Sequence, residues 1–183
     1  MRQAFAIALG ATMALAAVAE AHGPPRLKTE MSVTLDATPA EVWEVVGRFD
    51  DMSWHPAVAA TQMQPEGAPA DVPEESTRVL MLAGDAGATI TEMLTGLDQD
   101  KRLLRYIITE VDVAVLPVSN YASNLQVKDA DGKAELIWRA GYYRGFPNND
   151  PPADQNDDAA TAAVEGIYQA GIDALAERFG RVE

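Results

Sequence analysis

Residues 30–35 alternate, with Met31, Val33 and Leu35 on one side and Ser32 and Thr34 on the other, the period of a half-buried strand. A helical signature follows. Thr38 is suited to the N-cap, Pro39 to the first turn, and Glu41 to the position from which a carboxylate reaches back to the cap. Val42, Trp43, Val45 and Val46 then give a short amphipathic helix ending near Gly47. Residues 54–58 read as a turn or a second short helix broken by Pro56, and residues 65–75, rich in Pro, Gly, Ala and acid, as a loop. Strands are predicted over 77–82, 89–97, 103–111, 118–127 and 135–140, separated by turns at Gly84-Asp85, residues 98–101 and Asp131-Gly132. The Asp-Gly pair between two alternating runs is the strongest hairpin signal in the chain.

Residues 145–156 carry no periodicity. Beyond them Val164, Ile167, Tyr168, Ile172, Leu175 and Phe179 recur every three or four residues, which predicts a helix of about twenty residues capped by Asp157 or Asp158. Gly166 and Gly171 each weaken it by roughly 1 kcal/mol relative to Ala, so small residues there point to a close approach by the sheet or a ligand. One strand, two short helices, several antiparallel strands and a long terminal helix make an α+β domain.

Composition alters this picture at the amino end. Arg2, an apolar run over residues 4–19 and Ala19-Glu20-Ala21 have the form of a secretory signal peptide cleaved after Ala21. The run is shorter than the ~20 residues that span a bilayer. The expectation is therefore an exported, periplasmic protein with residues 22–183 as a single domain. The chain has no cysteine, which removes disulfides, thiol catalysis and thiolate metal sites. Its formal net charge of −14 disfavours nucleic acid and anionic membranes and suits a basic partner surface or a cation.

The segment from Ala37-Thr38-Pro39 through Glu41-Val42-Trp43, followed by Phe49-Asp50-Asp51-Met52-Ser53-Trp54-His55-Pro56-Ala57-Val58, resembles the opening of the START/Bet v 1-like superfamily, which includes polyketide cyclases and lipid carriers. The resemblance covers about residues 30–180 and implies a helix-grip fold: a curved antiparallel sheet wrapped around a long C-terminal helix, with a cavity between them. Within the superfamily the chain is similar to the MxaD-type periplasmic proteins of bacterial methanol oxidation. The residues that carry this are His22-Gly23-Pro24, the Asp51 to Val58 turn, Val113-Ala114-Val115-Leu116-Pro117-Val118-Ser119-Asn120-Tyr121, and Tyr142-Tyr143-Arg144-Gly145-Phe146-Pro147-Asn148-Asn149-Asp150-Pro151-Pro152 with Asn156-Asp157-Asp158-Ala159-Ala160. That resemblance implies a non-catalytic accessory protein, without a cofactor of its own, that promotes electron transfer between a quinoprotein methanol dehydrogenase and its cytochrome c. A carrier of an apolar ligand such as a quinone or lipid, and a cyclase-like enzyme, are the alternatives.

Each role points to different residues. Tyr143, Arg144, Phe146, Asn148, Asn149 and Asp150 form a run rich in the types favoured at interfaces and are the candidate partner-binding patch. Trp54, His55, Tyr106, Tyr121, Trp138, Tyr142 and Tyr168 are the candidates for a cavity or its mouth, although aromatics on strands and packed helices also serve simply as core. At strand spacing Trp138 and Tyr142 share one face and Tyr143 takes the other. For catalysis, His55, Asp51, Glu92, Tyr106, Glu110, Tyr121 and Tyr142 are the available acids and bases, and no pair has diagnostic spacing. His22, as a new amino terminus, could chelate a metal together with His55. Asp154, Asn156 and Asp158 fall in an EF-hand register with Glu165, but Ala159 stands where that loop needs glycine.

Overall fold

The computed structural model describes residues 23–84 and 87–182. The expected signal peptide, His22 and Asp85 lie outside them. The elements are β1 (Leu27–Leu35), α1 (Pro39–Val46), β2 (Val58–Gln64), β3 (Thr77–Leu82), β4 (Thr89–Asp98), β5 (Leu103–Val111), β6 (Val118–Ala130), β7 (Lys133–Arg144) and α2 (Asp157–Phe179). The seven strands form one antiparallel sheet in the order β1-β7-β6-β5-β4-β3-β2. α2 lies across its concave face, packed chiefly on β1 and β7, in the helix-grip arrangement. No helix among the described residues is long and apolar enough to cross a membrane.

Local chemistry explains the element ends. The Thr38 hydroxyl accepts from the Glu41 N–H while the Glu41 carboxylate accepts from the Thr38 N–H at 2.8 Å, closing the predicted capping box at α1. Asp131 and Gly132 join β6 to β7 with φ of 55° and 83°, the left-handed pair that a two-residue hairpin requires.

Three predicted features differ. The second short helix is absent: residues 52–58 form tight turns, with His55 N–H donating to Met52 C=O and Val58 N–H to His55 C=O. Pro56 has no N–H with which to propagate a helix. Residues 58–64, given no element above, form edge strand β2. The N-cap of α2 is Asn156, whose side chain accepts from the Ala159 N–H at 2.8 Å, while Asp157 and Asp158 sit in the first turn beside the positive helix end.

The core is continuous from the sheet through both helices. Trp138, Tyr142, Tyr168 and Phe49 are its largest fully buried side chains among the described residues, followed by leucines such as Leu35, Leu94, Leu125, Leu136 and Leu175. Trp138 and Tyr142 do share the inner face, and Tyr143 is half-buried on the outer one with the Arg26 guanidinium 5.6 Å from its ring centre.

Candidate functional site

Between the concave face and α2 lies a cavity of about 160 Å³. Its wall is built from inward positions of β3 to β7, namely Leu80, Leu82, Ile90, Glu92, Tyr106, Ile108, Tyr121 and Trp138. Met52, His55 and Ala57 close it from the turn before β2, Val58 from the first position of β2, Ile167 from α2, and Val115 with Leu116 from the β5–β6 connection. The lining is overwhelmingly apolar.

One charged residue, Glu92, interrupts it, paired to Arg78 on the neighbouring strand. Strand alternation puts Arg78 in line with Leu80, and Glu92 in line with Ile90 and Leu94, so both point inward. Register then sets the two residues directly opposite each other. Arg78 is 3 % exposed and Glu92 4 %. Arg78 donates from Nε to Glu92 Oε2 at 2.7 Å, with Nη2 2.6 Å from the same oxygen in the ion pair, and from Nη1 to the Phe49 carbonyl at 3.0 Å. The Phe49 ring lies 4.4 Å from the guanidinium carbon and the Tyr106 ring 5.5 Å, adding cation–π contacts on both. Burial pushes the Glu92 carboxyl above its ordinary range, and Arg78 opposes that shift. Because a neutral Glu92 would leave a buried guanidinium unbalanced, the pair is held ionised at neutral pH.

The aromatic residues form an ordered hydrogen-bond chain behind the wall. Ser123 Oγ donates to the Arg139 carbonyl, so it accepts from the Tyr168 hydroxyl at 2.8 Å, and Tyr168 in turn accepts from Tyr121 at 2.9 Å. Trp138 Nε1–H donates to the Tyr106 hydroxyl at 3.0 Å and to Ser123 Oγ at 3.2 Å, and its ring stacks on Tyr168 at 4.2 Å. Burial pushes Tyr106 up to about 12, with the Glu92 charge adding to the shift, and raises Tyr121 and Tyr168 well above 10. All three are neutral phenols at physiological pH.

His55 is almost fully buried and uses both ring nitrogens internally. Nδ1 accepts from the Ala57 N–H at 3.2 Å, which places the proton on Nε2, and Nε2–H donates to the Ile167 carbonyl at 2.9 Å. Burial lowers its pKa, with the Ile167 bond opposing, so the imidazole is neutral. Neither nitrogen is free for a metal or a proton relay, which removes His55 from the suggested chelate with His22.

Of the seven aromatic and histidine candidates, His55, Tyr106, Tyr121 and Trp138 line the cavity and three do not. Trp54 is half-buried, its ring 5.7 Å from Trp138 and 5.5 Å from His55. Tyr142 stacks on Tyr121 at 5.9 Å and hydrogen-bonds Thr29 Oγ1 at 2.7 Å. Tyr168 stands behind Trp138. These three support the wall without forming it. No residue of 142–158 reaches the lining either.

That segment is instead held against the start of α2. Arg144 donates from Nε to the Phe146 carbonyl at 2.8 Å, from Nη2 to the Asn148 carbonyl at 2.9 Å and from Nη1 to Asp157 Oδ1 at 3.1 Å. Its side chain is mostly buried, so Arg144 organises the loop from within and is not part of an outward-facing patch. Phe146 and Tyr143 are half-buried, and Asn148, Asn149 and Asp150 are exposed. Arg78 and the Val115-Leu116 wall were not anticipated. Two adjacent strands each carrying one charge at an inward position was the available signal for the first.

Residues 26–180 match the family described as polyketide cyclase / dehydrase and lipid transport. The search of curated proteins finds no match. Among solved structures, XoxI from Bacillus cereus is 24% identical with a TM-score of 0.66, covering 83% of this chain and 94% of that one. A Thermobifida fusca protein is 26% identical at a TM-score of 0.65, covering 84% and 93%. Ara h 8.0201 shares only 14% identity but superposes with a TM-score of 0.62 over 84% and 97% of the two chains. Sequence match, strand order and the helix closing a lined cavity agree: the chain belongs to the polyketide cyclase / dehydrase and lipid transport family.

Proposed function

We propose that this protein is a non-catalytic binding protein that encloses one small apolar molecule between the sheet and α2. The observation that carries this reading is the apolar cavity of about 160 Å³. An apolar protein cavity of about 150 Å³ stays dry and takes up benzene. The space therefore suits a single ring or a short chain, and it is too small for a whole lipid or prenylated quinone. The chemistry at the wall supports the non-catalytic part: both His55 ring nitrogens are engaged, the tyrosines are neutral, and Arg78 balances the Glu92 charge and so weakens its pull on a proton.

Benzene titrated into the protein should raise its melting temperature. Ligand at ten times its Kd adds about 1.4 kcal/mol, worth roughly 3–6 °C for a domain of this size. Ile108→Trp, which fills the cavity from a half-buried wall position, should abolish the shift. An unmoved melting curve in the wild type, or an equal shift in the variant, would sink the reading.

The resemblance to MxaD-type proteins adds a second reading, in which the same domain, exported to the periplasm, docks with a methanol dehydrogenase or its cytochrome c. The net charge of −14 and the exposed Asn148, Asn149 and Asp150, presented on a loop that Arg144 fixes in shape, support it. Immobilised protein should retain one of those partners at low salt and release it near 1 M, where the Debye length falls to about 3 Å. Asp150→Lys should weaken the retention. Retention indifferent to both salt and charge reversal contradicts docking of this kind.

A further inference from the structure

The cavity wall holds a charged group whose hydrogen-bonding capacity is left open. The hydrogen bond from Arg78 Nε and the close ion-pair approach of Nη2 both fall on the same carboxylate oxygen of Glu92, Oε2. Oε1 has no hydrogen-bond partner among the described residues. It is also not sealed in packed protein, because no fully sealed side-chain oxygen or nitrogen among the described residues lacks a partner. Glu92 lines the cavity while being 4 % exposed overall, so the accessible surface of Oε1 faces that space.

An unpaired carboxylate oxygen in an apolar enclosure costs free energy unless something donates to it. The donor has to be neutral. Arg78 already balances the Glu92 charge, so a cationic ligand would leave a net positive charge in a space walled by Leu80, Ile90 and Trp138. An anion would be repelled by Oε1 itself. A pure hydrocarbon would fit the volume but leave the oxygen dry and unpaired.

We infer that the ligand is a neutral, ring-sized apolar molecule bearing one hydroxyl, and that Glu92 Oε1 is the group that accepts its proton in a hydrogen bond. This rests on the cavity-binding reading above and narrows it to small phenols and alcohols. Arg78 acts as a positioning residue: it fixes the carboxylate so that one oxygen is occupied and the other is aimed at the ligand. The Phe49 carbonyl and the rings of Phe49 and Tyr106 hold the guanidinium in turn.

The test compares phenol, benzene and anisole by calorimetry or ligand-observed NMR on the full chain. Anisole keeps the ring-bound oxygen of phenol but, as a methyl ether, has no proton to donate. A hydrogen bond to a charged acceptor should make phenol bind about tenfold to a hundredfold more tightly than either. Equal affinities for the three probes overturn this inference while leaving the cavity reading intact. No binding of any of them overturns both. In Arg78→Met/Glu92→Met, once shown to be folded by circular dichroism, the preference for phenol should vanish, and its persistence would also overturn the assignment. Because the wild-type comparison stands alone, the inference remains testable if that double variant does not fold.

Discussion

Arg78→Met should destabilise the protein by about 3–5 kcal/mol, because it leaves the Glu92 carboxylate buried without its counter-ion. Glu92→Met should cost a similar amount from the other side. The guanidinium would keep only the Phe49 carbonyl, Met52 sulfur and two ring faces as partners. The double replacement, Arg78→Met/Glu92→Met, removes both charges, fills their volume with apolar groups and should recover most of the loss. Urea denaturation with unchanged m-value is the measurement, read as a double-mutant cycle. Costs that simply add would show that the pair is not the coupled unit described here. Such a pattern separates the pair from the surface bridges, among them Arg139–Glu30 and Lys101–Asp98, which are open to solvent on at least one side and contribute little.

That pair also shows how much of the site was legible beforehand. Strand period sets Arg78 on the same face as Leu80 and Glu92 on the same face as Ile90, a signal the sequence reading did not use, but which strands are neighbours, and in what register, is a long-range matter. Only the β3–β4 pairing makes them partners. The fold itself was easier to read because its signals are local: the capping box at Thr38, the Asp131-Gly132 turn, and the spacing of Val164, Tyr168, Ile172 and Leu175 along α2. β2 was missed for a physical reason. As the edge strand it buries none of its residues deeply, so Val58–Gln64 carries no apolar alternation and is recruited mainly by backbone bonding to β3. Period and composition do not say which of several packed rings borders a void and which, like Tyr142, Tyr168 and Trp54, stands behind it. Arg144 illustrates the converse error. A residue type common at interfaces was read as outward-facing, when its planar donors instead tie two loop carbonyls and a helix-start carboxylate together.

Gly171 and Gly166, five residues apart on α2, should respond to the same substitution with opposite signs. A Cβ at Gly171 would lie 2.7 Å from His55 Cδ2, 2.9 Å from Trp138 Cζ3 and 3.1 Å from His55 Nε2. Neither ring can give way freely. His55 is pinned by Ala57 N–H and by the Ile167 carbonyl, and Trp138 by its stack on Tyr168 and its bond to the Tyr106 hydroxyl. Gly171→Ala therefore forces an overpacked contact worth about 1–3 kcal/mol, occasionally more, against a helix-propensity gain of about 1 kcal/mol. The balance is a net loss, and because the displaced rings are cavity wall, benzene affinity should fall with it. At Gly166 nothing beyond the helix's own adjacent backbone lies within 4 Å of the added carbon, and the position is exposed. Gly166→Ala should accordingly stabilise by about 0.5–1 kcal/mol and leave ligand binding alone. Thermal melts of the two variants decide the matter: stabilisation at both positions would mean that the helix can lift from His55 and Trp138 without cost, and the cavity would then be an adaptable space whose walls do not select a ligand by size.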